Sequence, residues 1–261
     1  MNISSRKNSL VVHFRKLVRE RNYRSECGEF PIEGARLCLE ALNSGLIITS
    51  FLVTEGARER YSEIVSAISE EFMPNIINDD ISAYISDTKS PQGIFITAKM
   101  FDKPMQLGKI EKGGKYIILD GLQDTGNIGT IIRTCDALGI DGVILSPDCA
   151  DIYSPKIVRS AMGSLFRLPV YITELTELIT KLKDNKFNVY ASVLDETAKT
   201  INEIQFTDKT AVIIGNEGNG VSKEVIEKAE NKLYIPICGA ESLNAAVAAS
   251  IISWEMTRRQ I

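Results

Sequence analysis

The C-terminal part of the chain alternates short apolar runs with longer amphipathic stretches, and this alternation limits the possible folds more than any other feature. Each apolar run is four or five residues long, which suits a buried strand, and the stretches between the runs carry apolar residues at helical spacing. The pattern predicts an α/β domain whose parallel sheet is covered by helices on both faces. The predicted strands are Tyr116–Leu119, Gly142–Leu145, Val189–Val193, Ala211–Ile214 and Leu233–Ile237. The predicted helices lie near residues 128–138, 155–162, 174–184, 222–230 and 243–259.

The first hundred residues are less regular and predict a smaller α/β domain. Its predicted helices lie near residues 8–20, Ala35–Asn43 and Arg58–Ser69, and its extended runs are Ile47–Val53, Ile76–Ile77 and Gly93–Thr97. The segment Met100–Gly114 mixes Pro104 and several glycines with charged residues, which is typical of a linker. We therefore expect two domains, residues 1–107 and 108–261.

Composition excludes several classes of protein. Of the 261 residues, 44% are hydrophobic and 25% are charged, which is average for a globular chain and argues against disorder. The longest uncharged stretches, Ala41–Thr54 and Ser242–Trp254, are too short to cross a bilayer. The N-terminus lacks the apolar core of a secretory signal. We expect a cytoplasmic protein without a membrane partner.

The chain has a single histidine, His13, and its five cysteines form no C-x-x-C pair. Ser-His-Asp and Cys-His catalysis need an imidazole base, and zinc sites use clustered histidine or cysteine ligands. We therefore expect chemistry that uses neither histidine nor a metal ion.

Charge is distributed unevenly. The chain has a net charge of −4, yet residues 1–24 carry seven Lys or Arg residues and a single acid, Glu20. Apolar residues in this segment recur at helical spacing, so one face of the first helix is expected to be buried and the basic residues to point outward. A local basic patch can bind RNA phosphates, and a solvated helix face is the alternative. The candidate contacts are Arg15, Lys16, Arg19 and Arg21.

The loop after the first strand of the second domain leads into a helix with two distinct faces. Apolar residues from Ile128 to Leu138 form one stripe, and Gly129, Arg133 and Asp136 lie on the opposite face. Asn127 is the predicted N-cap. A phosphate or ribose can approach where free backbone N–H groups and a guanidinium converge. The alternative is an ordinary helix with Arg133 paired to Asp136.

Two further loops follow predicted strands. Gly215–Gly220 contains three glycines and two asparagines, which indicates tight turns and close backbone approach, although it matches neither G-x-G-x-x-G nor a Walker loop. A tight turn without a ligand is the alternative. Ile235–Asn244 runs into an alanine-rich helix, with Ser242 and Asn244 near its start, and a capping role for Ser242 is the simpler interpretation.

Taken together and in this order, the three loops resemble the SpoU (TrmH) family of RNA ribose 2′-O-methyltransferases, part of the SPOUT superfamily. The first matching piece is Asn127-x-Gly129-x-x-x-Arg133 with Gly139. The second runs from Ile213 to Gly220, and the third combines Ile235-Pro236 with Ser242-Leu243-Asn244. Phe30–Gly34 and Ser90–Gly93 are similar to the N-terminal substrate-binding domain of this family, which resembles small ribosomal RNA-binding proteins.

The resemblance implies a homodimer with a deep trefoil knot that binds S-adenosylmethionine. Ribosomal RNA is the preferred substrate because the N-terminal domain resembles that of ribosomal members. The residues implied to bind the cofactor are Ser192, Val193, Leu194, Gly215, Asn216, Glu217, Gly218, Ile235, Leu243 and Asn244.

The resemblance also implies catalytic residues, with the central role given to Arg133. Because a guanidinium is a poor proton acceptor, we expect Arg133 to hold the target phosphate and to stabilise the developing alkoxide. Asn127, Glu217, Ser242 and Asn244 are expected to orient the target and the arginine.

Other functions stay open at this point. The chain could methylate transfer RNA, or it could be a non-catalytic RNA-binding protein that retained the fold. A third hypothesis is that the protein is a generic α/β enzyme that acts on a small molecule or nucleotide. Failure to bind S-adenosylmethionine would favour it.

Overall fold

The computed structural model of the protein describes residues 2–101, 113–195 and 198–258. Contacts divide the chain into two compact units, and the first contains Met1–Asp102 together with Asp151–Phe166. The second contains Lys103–Ala150 and Arg167–Ile261. The predicted boundary near residue 108 lies outside the described residues. The segment Asp151–Phe166 falls inside the second predicted domain by sequence but packs with the first unit.

The described part of the first unit has a mixed five-stranded sheet in the order β1-β4-β3-β5-β2, in which β5 is antiparallel to both of its neighbours. Its strands are β1 (Asn2–Ile3), β2 (Glu29–Glu33), β3 (Ile48–Thr54), β4 (Asn75–Ile77) and β5 (Ile94–Lys99). Its helices are α1 (Ser9–Arg19), α2 (Arg21–Cys27), α3 (Ala35–Asn43), α4 (Glu55–Arg60), α5 (Ser62–Ser69) and α6 (Asp79–Ile85). The prediction missed β1, β2, α2 and α6, because elements this short show too few periods to recognise.

Helix α1 is amphipathic as predicted. Asn8 caps its first turn by accepting a hydrogen bond from the Leu10 N–H, and Val11, Phe14 and Leu17 are fully buried. Phe14 packs edge-on against Phe95 of β5. Burial of three large apolar side chains on one face holds the helix on the sheet and leaves its other face in solvent.

The segment Asp151–Phe166 is held in the first unit by an ion pair and an aromatic cluster. The buried Arg24 guanidinium contacts Asp151 through Nη2 at 2.6 Å. Tyr153 and Phe166 pack with Phe30 and Phe101. This segment contains the short helix Pro155–Ala161 and most of the helix Ser164–Arg167, whose last residue belongs to the second unit. Arg24, which is among the seven basic residues of the segment 1–24, is therefore paired with a residue of the same unit.

The second unit has a seven-stranded sheet in the order β10-β12-β9-β11-β6-β7-β8. All of its strand pairs are parallel, so the predicted parallel sheet is confirmed. Its strands are β6 (Gly114–Leu119), β7 (Gly142–Leu145), β8 (Val170–Ile172), β9 (Asn188–Ser192), β10 (Lys199–Thr200), β11 (Lys209–Ile214) and β12 (Asn231–Tyr234). Its helices are α7 (Thr125–Ala137), α8 (Leu175–Asp184), α9 (Lys223–Ala229) and α10 (Ala245–Thr257). Strands β8 and β10 were not predicted.

The sheet is covered on both faces, as predicted. Helices α8 and α9 pack against β9, and α10 packs on β11 and β6 beside α7. Strands β6, β11, β9 and β12 are consecutive neighbours and end level with one another, since Leu119 pairs with Ile214 and Leu233 with Ser192. The loops that follow these strands therefore meet at one edge of the sheet. No described helix has the length and apolar character needed to cross a membrane.

Candidate functional site

A cavity of about 640 Å³ lies where β9, β11 and β12 end. Its volume falls within the range of small-molecule and cofactor sites, roughly 300–1,000 Å³. Three segments supply most of the wall, and all come from the second unit. The lining residues are Ser192, Val193, Leu194, Ile214 to Val221, Ile226, Ile235, Ile237, Glu241 to Ala245 and Ala248. Every residue predicted to bind the cofactor is among them.

The loop Gly215–Gly220 closes on itself. Asn216 and Gly220 exchange backbone hydrogen bonds of 3.0 and 2.9 Å. The Asn216 side chain accepts hydrogen bonds from the Gly218 and Asn219 N–H groups and donates one to the Gly121 carbonyl. A Cβ on Gly215 would lie 2.0 Å from the backbone of Gly220 and Val221. Gly215 is therefore required by the loop's own backbone.

Glu217 connects the second loop to the first. Its Oε1 accepts hydrogen bonds from the Asp124 N–H at 3.1 Å and from the Asn127 side chain at 3.2 Å, and its Oε2 accepts one from the Gln123 N–H. Partial burial works to raise the pKa of Glu217, but these donors and its own backbone N–H outweigh burial and lower the pKa. Glu217 is thus a charged acceptor at neutral pH and a weak base.

Asn127 continues this chain of contacts to the third loop. Its Oδ1 accepts a hydrogen bond of 3.0 Å from the Asn244 side chain, which in turn caps α10 by accepting from the Ala246 and Val247 N–H groups. Glu217, Asn127 and Asn244 therefore link all three loops. Asn127 itself does not line the cavity.

Two predictions about helix caps are wrong. Helix α7 begins three residues before the expected position, and Asp124 caps it by accepting from the Asn127 N–H at 2.8 Å. Asn127 is thereby placed inside the first turn, where its side chain is free to contact Glu217. At the third loop Asn244, and not Ser242, is the cap, and Ser242 lies exposed on the cavity wall.

Arg133 is exposed on α7 and is not among the residues that line the cavity. The alternative pairing with Asp136 is absent, because Asp136 contacts Arg167 at 2.9 Å. Within the described ranges the Arg133 guanidinium has no hydrogen bond or ion pair. Gly129, predicted on the same face as Arg133, is instead buried.

The predicted RNA-binding residues of the first unit differ in exposure. Lys16, Arg19 and Arg21 are exposed. Arg15 is partly buried, with its guanidinium over the Tyr84 ring and a hydrogen bond to the Tyr84 carbonyl. Arg15 is therefore occupied by contacts within the protein.

Sequence reasoning missed several residues of the cavity. Val221, Ile226, Ile237, Ala245 and Ala248 add apolar wall, and Glu241 adds a second carboxylate. Glu241 directly precedes the Ser242-Leu243-Asn244 motif, so its position was the available signal. Val221, just before helix α9, and Ile226, within it, gave no signal in the sequence, since their pattern is that of any packed helix.

A parallel α/β sheet with a cofactor-sized cavity beyond its strand ends defines a ligand-binding α/β domain. Comparison with known proteins agrees with this class. Residues 114–254 match the SpoU rRNA Methylase family, and residues 8–96 match the MRM3-like substrate binding domain.

Individual relatives cover nearly the whole chain. The 23S rRNA (guanosine(2553)-2'-O)-methyltransferase RlmP of Bacillus subtilis is 36% identical, over 97% of this chain and 98% of its own. An AdoMet-bound rRNA methyltransferase from Sinorhizobium meliloti has a TM-score of 0.87 at 27% identity and covers 100% of this chain and 98% of its own. The AdoMet complex of the SpoU methyltransferase AviRb from Streptomyces viridochromogenes has a TM-score of 0.86 at 27% identity, over 97% and 98% of the two chains.

The chain belongs to the SpoU rRNA methylase family, and the predicted family is confirmed.

Proposed function

We propose that the protein is an S-adenosylmethionine-dependent methyltransferase that modifies a ribose 2′-hydroxyl in ribosomal RNA. The observation that carries the proposal is the cavity at the ends of β9, β11 and β12, where Glu217 and Asn244 of the wall are joined through Asn127 of the loop after β6. The relatives with a similar fold include an AdoMet-bound rRNA methyltransferase and the AdoMet complex of a SpoU methyltransferase, and the Bacillus subtilis relative acts on guanosine 2553 of 23S rRNA. The corresponding guanosine is the first position to test.

The cavity suits S-adenosylmethionine in size and chemistry. Apolar side chains such as Val193, Ile235 and Leu243 can enclose an adenine ring, and the backbone of Gly215 to Gly218 supplies polar groups. The charged lining side chains are carboxylates, which suit a cofactor with a net positive charge. When bound, the cofactor supplies an electrophilic methyl group. We include the family's trefoil knot in the proposal, because after β12 the chain returns to pack α10 on β11 and β6.

The chain's own residues then position the RNA. Arg133, exposed and unpaired within the described residues, is proposed to hold the phosphate next to the target ribose and to stabilise the alkoxide as the hydroxyl loses its proton. Glu217 cannot accept that proton readily, because four donors lower its pKa. Its role is to hold Asn127 and the start of α7 at the cavity, and Ser242 and Asn244 line the approach from the third loop.

The direct test maps 2′-O-methylation in total RNA from cells with and without the gene. We expect one ribosomal RNA position to lose its methyl group in the deletion strain, and the wild-type gene to restore it. Loss at a transfer RNA position would favour the transfer RNA alternative. Tight RNA binding with no lost methyl group in any RNA would identify a non-catalytic binding protein. Because ribosomal RNA is the proposed substrate, we propose that the protein acts in the cytoplasm.

The first unit is proposed to bind the RNA through Lys16, Arg19 and Arg21. Replacing all three with alanine is expected to weaken RNA binding and to make the negative slope of log K against log salt shallower by about 2, since each lost phosphate contact removes roughly 0.7–0.9 from its magnitude. Filter binding at several salt concentrations measures the slope. The control variant Lys181→Ala/Lys223→Ala/Lys228→Ala removes the same charge from exposed positions of the second unit. Equal slopes in the two triple variants would mean that Lys16, Arg19 and Arg21 are solvated and do not contact the RNA.

We also propose that the protein is a homodimer through α10. Val247, Ile251 and Trp254 are 47%, 36% and 49% exposed and follow one another at helical spacing along a single face. An uncharged apolar stripe can pair with the same stripe of a second copy around a two-fold axis.

Trp254→Arg is expected to produce a monomer, because a buried aromatic anchor at an interface contributes about 2 kcal/mol or more, and a charge adds a desolvation cost. Sedimentation equilibrium at micromolar concentration measures the change. Ile172→Arg is the control, since Ile172 is an exposed apolar residue on β8. A monomeric wild type, or a dimer that survives Trp254→Arg, contradicts this interface.

A further inference from the structure

The charged side chains that line the cavity are all negative. Two carboxylates, Glu217 and Glu241, line it, and the described lining residues include no Lys, Arg or His. A carboxylate in a concave site without a neighbouring cation attracts positive charge on a ligand, and low-dielectric walls strengthen the attraction.

The two carboxylates are not equivalent. Glu217 already accepts hydrogen bonds from the Gln123 and Asp124 N–H groups and from the Asn127 side chain. Glu241 is exposed and, among the residues that the structure describes, contacts no hydrogen-bond donor or cation. The Glu217 carboxylate thus already has hydrogen-bond partners within the protein, whereas the Glu241 carboxylate is available to a ligand.

The ligand of the proposed function changes charge during the reaction. S-adenosylmethionine carries a sulfonium and an ammonium against one carboxylate, so its net charge is positive. When the methyl carbon bonds to the ribose oxygen, the electron pair of the broken S–C bond stays on sulfur, and the hydroxyl proton passes to solvent. The product, S-adenosylhomocysteine, is therefore a neutral thioether that differs from the cofactor by one methyl group and one charge.

Resting on the proposed function, we infer that Glu241 is a specificity-determining residue that favours the positively charged cofactor over its neutral product. Apolar walls sense the size of the methyl group, which is worth roughly 1–3 kcal/mol in a hydrophobic pocket, but they do not sense its charge. An unpaired carboxylate senses the charge directly, because its attraction for the sulfonium is lost when the methyl group leaves. The same residue thereby weakens product inhibition and favours exchange of product for fresh cofactor.

Isothermal titration calorimetry of the full chain at low salt tests the inference. S-adenosylmethionine, S-adenosylhomocysteine and sinefungin, whose amine carries a positive charge near the sulfonium position, are titrated into wild type, Glu241→Gln and Glu177→Gln. Glutamine keeps the size of the side chain and removes its charge. Glu177 is exposed on α8 outside the cavity, so its variant controls for net charge.

We expect Glu241→Gln to weaken both charged ligands about 3- to 10-fold and the neutral product by less than 2-fold, as for a partly solvated charge pair. Glu177→Gln should change none of the three. Equal weakening of all three ligands, or an unchanged ratio of cofactor to product affinity, overturns the inference and leaves the proposed function standing. A wild type that binds none of them overturns both.

Discussion

Arg133→Ala is expected to lower kcat for RNA methylation at least about 1000-fold, which corresponds to about 4 kcal/mol of barrier. S-adenosylmethionine affinity should change less than about 2-fold, because Arg133 does not line the cavity. Arg133→Lys should also be poor, since an ammonium cannot reproduce the two-pronged contact of a guanidinium with phosphate. Single-turnover methyl transfer to ribosomal RNA measures the rate, and calorimetry measures the affinity.

Arg167→Ala is the matched control for Arg133. Both arginines are exposed in the second unit, but Arg167 is engaged by Asp136. Its loss should leave the rate nearly unchanged. If Arg133→Ala kept more than about a tenth of the wild-type rate, a change below about 1.4 kcal/mol, its central role in the proposed mechanism would be wrong.

Gly215→Ala is expected to destabilise the second unit by about 3 kcal/mol or more and to abolish cofactor binding. The added Cβ would lie 2.0 Å from the Gly220 carbon and the Val221 nitrogen, and backbone atoms cannot rotate away as a flexible side chain can. For a protein of this size such a loss lowers Tm by roughly 6–12 °C. Thermal denaturation followed by circular dichroism measures the shift.

Gly218→Ala separates steric demand at Gly215 from a general need for glycine in this loop. A Cβ at Gly218 would lie 3.5 Å from Asn216 Oδ1, an ordinary contact. We expect this variant to keep the wild-type Tm within about 2 °C. Similar destabilisation of both variants would mean that loop flexibility, and not the close backbone approach at Gly215, explains the glycines.

The cofactor cavity shows where motif reasoning succeeds. The family resemblance implied that Ser192 to Leu194, Gly215 to Gly218, Ile235 and Leu243 bind one cofactor, and the structure brings them to one cavity. Their convergence follows from a general rule: parallel strands end at the same edge of a sheet, so motifs that follow strands meet there. The functional roles of these residues stay predictions until binding is measured.

The local sequence pattern gave wrong predictions where contacts with distant residues decide what a side chain does. Asn127 and Asp124 are both good N-caps, and the structure selects Asp124 because the Asn127 side chain bonds to Glu217 and Asn244, which are distant in sequence. Arg15 and Arg24 look like their basic neighbours, yet Tyr84 and Asp151 engage them inside the first unit. No local periodicity records a partner 69 or 127 residues away.

The sequence by itself determined the family, the parallel sheet and the loops that carry the chemistry, because strand and helix periodicity and glycine content are local properties of the chain. Tertiary structure alone decided which residues are free to act. It paired Asp136 with Arg167 and left Arg133 exposed, and it committed Glu217 to the first loop while Glu241 remained unbonded among the described residues. The physical reason is that a hydrogen bond or ion pair depends on the distance between groups in space, which separation along the chain does not specify.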